Sequence, residues 1–191
     1  METDFVDDAV DGWGKQLPRV ETSALEITAR LDRIARLLER RATGALNNSG
    51  LSCRDLDVLG ALRRDGSAEG LPAGELARAA MLTSGGMTGQ ADRLANAGLI
   101  VRRPDPDDRR TVLMALTAEG KGLVQKALES YLGASEEVLQ VLTDNERRVL
   151  AELLRKLLVG LEGPKQAAEA AEPARPPRSK TPRSPHRFES A

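Results

Sequence analysis

Aromatic residues, histidine and cysteine are nearly absent from this chain. Phe, Trp and Tyr together make up 2% of 191 residues, with one His and one Cys. Each scarcity excludes something. The single thiol, Cys53, cannot form an internal disulfide and fits a reducing cytoplasm. The only histidine, His186, has no cysteine or histidine partners with which to build a metal knuckle. No Gly-rich phosphate loop follows a strand, and no pair of carboxylates points inward in the pattern. No catalytic constellation is therefore legible, and neither an enzyme nor a cofactor is expected. Long apolar runs are missing too: none approaches the roughly 20 residues that span a bilayer. The acidic start METDFVDDAVDGWG lacks the apolar stretch of a secretory signal, so no membrane partner is expected. An excess of charge is also lacking, since 28 basic and 29 acidic residues give a formal net charge of -1. Any sign of a nucleic-acid partner must then be local.

What remains is rich in Leu and Ala, which favours helices. Residues 1–20 form an acidic extension in which a short helix around Trp13 fits. Over 21–46, Leu25, Leu31, Ile34, Leu38, Ala42 and Ala45 trace one helical stripe that Asn47, Asn48 and Gly50 end. Ser52 and Asp55 have the spacing of a capping box for a helix stopped by Asp65-Gly66. A two-turn helix begins near Pro72. Thr83 is the N-cap of the next, which runs to Ala97 with Gly98 at C′. LIVRR (99–103) and TVLMAL (111–116) read as two strands of a hairpin. Thr117 caps a long helix, which Gly133 could bend, and Thr143 with Glu146 is a second capping box. The helix it opens carries Leu150, Leu153, Leu154, Leu157, Leu158 and Leu161. From residue 162 the composition turns Pro- and Arg-rich, the signature of a disordered tail.

The hairpin tip, RRPDPDDRR at 102–110, concentrates opposed charge. Pro104 and Pro106 stiffen it. Asp105, Asp107 and Asp108 are placed to accept bonds from backbone and guanidinium groups, orienting the arginines. Arginines so held suit a narrow minor groove, where the electrostatic potential is enhanced. The block LTSGGMTGQADRLANAGLIVRRPDPDDRRTVLMALTAEG, 82–120, resembles the multiple antibiotic resistance regulator (MarR) family. The family's wing signature is met by Asp108, Arg109, Arg110, the strand TVLMA, Leu116, Thr117 and Gly120. Gly74, Glu75, Leu76 and Ala77 fit the helix that precedes the family's recognition helix. The resemblance covers about 21–161 and implies a mainly α, winged helix-turn-helix fold. Its two-stranded wing and DNA-binding lobe would occupy about 52–116, with dimerisation helices at about 21–46 and 117–161.

The implied function is that of a homodimeric, sequence-specific DNA-binding regulator, repressing from a pseudo-palindromic operator. Wing candidates are Arg103, Asp108, Arg109 and Arg110, with either Arg109 or Arg110 entering the minor groove. On the recognition helix, Met87, Ala91 and Leu94 face the core. The opposite face carries Gly85, Gly86, Gly89, Asp92, Arg93 and Asn96, so the outward side is poor in side chains. Thr83, Ser84, Thr88, Gln90 and Arg93 are the candidate contacts there. Wing and DNA shape are expected to carry more of the specificity than this helix. A winged-helix module that has lost base readout and binds protein instead is the rival reading.

The family also implies release by a small aromatic or phenolic ligand. Trp13 and Asp57 are candidates by similarity to its urate-responsive branch, although that branch has a recognition-helix Arg where Gly89 and Gln90 stand here. Trp13 otherwise reads as a lone tryptophan, packed or exposed, and Cys53 as either a small buried residue or an oxidant sensor. The tail, with Arg175, Arg178, Lys180, Arg183 and Arg187, reads either as phosphate-binding or as passive.

Overall fold

A computed structural model describes residues 3–108 and 110–171, with backbone only for Ser84 and 164–171. Arg109, His186 and the basic tail beyond 171 lie outside the described residues. Seven α-helices and a small sheet follow one another: α1 Phe5–Gln16, α2 Ser23–Leu46, α3 Cys53–Asp65, β1 Leu71–Pro72, α4 Ala73–Ala79, α5 Ser84–Asn96, β2 Ile100–Pro104, β3 Val112–Leu116, α6 Ala118–Leu139 and α7 Asp144–Ala171.

The helix starts are set by local chemistry. Asp4 and Asp7 form a capping box on α1, and Ser52 and Asp55 form one on α3. Thr83 and Thr117 accept from the amides of Gly86 and Gly120 to open α5 and α6. The Thr143 hydroxyl donates to Glu146, which also accepts from the Thr143 amide at 2.8 Å. Backbone donors left over at a helix N-terminus are thus bonded rather than orphaned. α6 runs through Gly133 without interruption. In α7 the break falls at Gly163, with φ 73, and helical backbone resumes beyond it.

The two expected wing strands form the hairpin of β2 and β3. β1 adds a third strand, in the order β1-β3-β2, pairing Leu71 with Met114 and Pro72 with Leu113. Gly70 makes this approach possible: at φ 95 it passes so close to the Met114 carbonyl that a Cβ would stand 2.0 Å from the oxygen. β2 and β3 pair antiparallel from Ile100–Leu116 to Pro104–Val112.

One core unites the lobe. Leu56, Val58, Leu59 and Leu62 of α3 meet Leu76 of α4, Met87, Ala91 and Leu94 of α5, Ile100 and Met114 of the sheet, and Val124 of α6. The α5–wing–α6 junction explains a run of small residues. Gly98 (φ 71) ends α5, with the Leu99 amide bonded back to the Leu94 carbonyl at 3.0 Å. The Thr117 hydroxyl donates to the Gly98 carbonyl at 2.7 Å and accepts from the Gly120 amide at 2.9 Å. Gly120 must lack a Cβ, which would lie 2.0 Å from the Leu99 oxygen.

Candidate DNA-binding surface and ligand cavity

α4 and α5 are joined by a turn in which Met81, not glycine, takes the left-handed conformation (φ 54). Bonds from the Met81 amide to the Arg78 carbonyl and from the Leu82 amide to the Ala77 carbonyl close a Schellman motif. Thr83 then restarts the helix. α5 buries Met87, Ala91 and Leu94, as its helical projection requires, and leaves Gly85, Gly86, Thr88, Gly89, Asp92, Arg93 and Asn96 outside. A Cβ at Gly85 or Gly89 would meet nothing within 4 Å. Nothing in the chain's own packing therefore requires glycine at those two positions.

The wing is tied to this face. Arg102, in the middle of β2, forms an ion pair with Asp92 on the exposed side of α5. At the tip Asp105 and Asp108 accept from amides of the turn. Asp105 is buried and accepts from the Asp107 amide at 2.9 Å, while its own amide donates to the Thr111 carbonyl at 2.9 Å. Asp108 accepts from the Arg110 amide at 3.0 Å and from the Thr111 hydroxyl at 2.9 Å. Those two bonds hold its carboxyl below the ordinary value. Asp108 was expected to accept from backbone and guanidinium groups; the Arg110 amide is the backbone partner, and the bond fixes the main chain that carries that arginine. Arg103 and Arg110 are exposed.

Two of the expected readers are engaged internally. Gln90 and Arg93 both bond to Asp55, a fully buried residue on the first turn of α3. By sequence Asp55 belongs to a capping box, Arg93 to the outer face of α5, and Gln90 and Arg93 to the candidate DNA contacts. No sequence signal brings residues 35 and 38 positions apart together.

A cavity of about 350 Å³ lies between α2, α3, the α4 end and α6. That size suits a small ligand. Its wall includes Leu38, Leu56, Leu128, Tyr131, Asp57 and Arg64. Cys53 and Met81 also line it. Arg64 is steadied by donating to the Ala79 carbonyl at 3.0 Å. Asp57 stays exposed at the rim, and its partial burial raises the carboxyl pKa. Of the two ligand candidates, Asp57 lines this cavity and Trp13 does not. Trp13 is half exposed on α1 and forms no part of the cavity lining. The reason is the anchoring of α1: Arg30 of α2 pairs with Asp4 at 2.8 Å and Asp7 at 2.6 Å. Arg30 lies eight residues, about 12 Å of helix, before Leu38 on the cavity wall. Cys53 opens α3, half-buried, with its sulfur 3.9 Å from the Thr43 hydroxyl.

Among the described residues, no helix is long and apolar enough to cross a membrane, and no group of three potential metal ligands exists.

Comparison with known proteins adds four findings. Residues 49–111 match the sequence model of the MarR family. The HTH-type transcriptional regulator PecS of Dickeya dadantii is 28% identical over 152 residues, covering 80% of this chain and 92% of PecS. The transcriptional activatory protein BadR of Rhodopseudomonas palustris is 33% identical over 133 residues, covering 68% of this chain and 74% of BadR. Among solved structures, CouR from Rhodococcus jostii RHA1, bound to p-coumaroyl-CoA, superposes with a TM-score of 0.60. It is 28% identical, and the match covers 70% of this chain and 90% of CouR.

Proposed function

Because the chain belongs to the MarR family of transcriptional regulators, we propose that it is a homodimeric, ligand-released repressor that reads a pseudo-palindromic operator. One observation carries the DNA reading: the Asp92–Arg102 ion pair joins the exposed face of α5 to the wing, so helix and hairpin present one surface. On that surface Thr83 and Ser84 open the helix, Thr88 follows on its outer face, and Arg103 and Arg110 supply cations of the wing. Asp108 sets the turn that carries Arg110. The bare glycines let the start of α5 approach a phosphate closely, where amides and the helix dipole favour an anion.

The dimer reading is supported by apolar side chains that a single chain leaves outside. Leu150, Leu153, Leu154, Leu157 and Leu158 of α7 and Leu31, Ile34 and Leu38 of α2 are all exposed. A patch of this kind marks a protein interface. Two such chains place two reading heads on one duplex. The ligand reading is supported by the cavity and by Asp57 in its wall. CouR, solved with p-coumaroyl-CoA, points to aromatic acids and their phenolic relatives as the first compounds to try.

Selection from a random-sequence duplex library with the full chain tests the function. An enriched sequence with two-fold symmetry, lost in Arg110→Ala but kept in Gln90→Ala, is the expected outcome. Failure to enrich any sequence would favour the protein-binding alternative. Titrating p-coumarate, salicylate and urate into the enriched complex then tests release.

A further inference from the structure

One buried carboxylate takes more donors than its helix needs. Asp55 accepts from the Ser52 amide and hydroxyl, each at 2.7 Å, through Oδ2, which completes the capping of α3. Its other oxygen accepts from Arg93 Nε at 3.1 Å and from the Gln90 side-chain amide. The Arg93 terminal nitrogen returns to Oδ2 as an ion pair. These last three contacts reach across to α5 and hold the only arginine and the only glutamine of that helix.

We propose that Asp55 is a positioning residue that withdraws Gln90 and Arg93 from base readout, so that α5 meets DNA through its glycine-lined face and discrimination passes to Thr88 and the wing. The proposal rests on the DNA-binding function above. Three physical points support it. A carboxylate paired with a guanidinium has no net charge, so Arg93 adds little to counterion release. Moving Arg93 out to a phosphate would strip a fully buried carboxylate of its cation, an unfavourable exchange. A glutamine anchored through its amide nitrogen is not free to turn its donor and acceptor together onto an adenine edge. The same arrangement gives the glycines a role: with both long side chains drawn to Asp55, the helix can lie closer to the duplex than a side-chain-bearing face allows.

The test uses the full chain in four forms: wild type, Gln90→Ala, Asp55→Asn, and Asp55→Asn combined with Arg93→Gln. Each goes through random-sequence selection, and through a salt titration on a duplex of unrelated sequence. Circular dichroism checks folding. Gln90→Ala, which leaves the Asp55–Arg93 pair in place, is expected to enrich the wild-type sequence with every base preference intact. Asp55→Asn frees one positive charge. It should steepen the salt dependence by about one unit of log K against log salt and blur the enriched sequence. The double variant, with neither charge, should return to the wild-type slope. Loss of a base preference in Gln90→Ala overturns the proposal. So does a double-variant slope shallower than wild type, because Arg93 would then have been neutralising a phosphate. If Asp55→Asn fails to fold, Gln90→Ala alone still decides. A wild-type chain that enriches nothing refutes the DNA-reading function itself, and this proposal with it.

Discussion

The lobe built from α3, α4, α5 and the wing sheet differs sharply from the helices that flank it. In the lobe, Leu59, Leu76 and Leu94 are sealed within one chain. On the flanks, Ile27 of α2 and Leu153 and Leu158 of α7 are 59%, 55% and 54% exposed. All are helical aliphatic residues at helical spacing, so periodicity alone does not say which face meets its own chain. The lobe is completed by local capping and by the sheet. The flanking helices are completed, on the function proposed here, by a second copy. Reading DNA and assembling are thus assigned to different parts of the chain, and each can be disturbed separately.

The largest effect should come from the flank. Leu153→Glu with Leu157→Glu puts charge into the proposed dimer seam. Sedimentation should then show single chains, and operator affinity should fall by about 10²–10⁴ as the second reading head is lost. Normal affinity from a single-chain species would break the division of labour. Next comes the lobe. Leu59→Ala leaves a cavity in a fully buried site, and urea unfolding should show a loss of about 2–5 kcal/mol. A loss well under 1 kcal/mol would mean that the lobe core collapses around the site, as such cores sometimes do.

Smaller still, Gly89→Ala should stabilise the fold by about 1 kcal/mol through helix propensity, since its Cβ meets nothing. It should weaken operator binding at the same time. A stabilised variant that binds DNA as tightly would show that these glycines are not there for close approach. The smallest effect concerns Asp57. Its folded pKa is raised by partial burial, so the folded chain holds this proton over a range where the unfolded chain has released it. Stability contributed by Asp57 therefore declines as pH climbs from the unfolded carboxylate value, about 3.9, through the folded one. Asp57→Asn should raise Tm at neutral pH, show no gain once both states are protonated, and weaken ligand release. Equal gains at both pH values would remove titration as the cause.

Much of the fold could be read from local signals. Ser52 with Asp55, Thr83, Thr117, and Thr143 with Glu146 all cap the helices they announce, and Gly66 and Gly98 take the left-handed conformations expected of helix stops. What escaped has little or no local signal. β1 is two residues long and includes a proline, too short for any alternation to show. Met81 adopts a backbone conformation where turn rules look for glycine. The family pattern nominated the site's residues, but the bonds among them carried no sequence signal. Asp55 was identified as a cap, but its grip on Gln90 and Arg93 depends on how α5 crosses α3. Asp57 and Trp13 were paired by similarity, whereas the Arg30 anchor fixes α1 away from the cavity.

The most direct test of the account is the number of chains on one operator duplex, measured by sedimentation equilibrium of the full chain on its enriched sequence. Two chains per duplex are expected, and two chains in solution without DNA. One chain bound alone, with the same base preferences across the whole symmetric site, would contradict it.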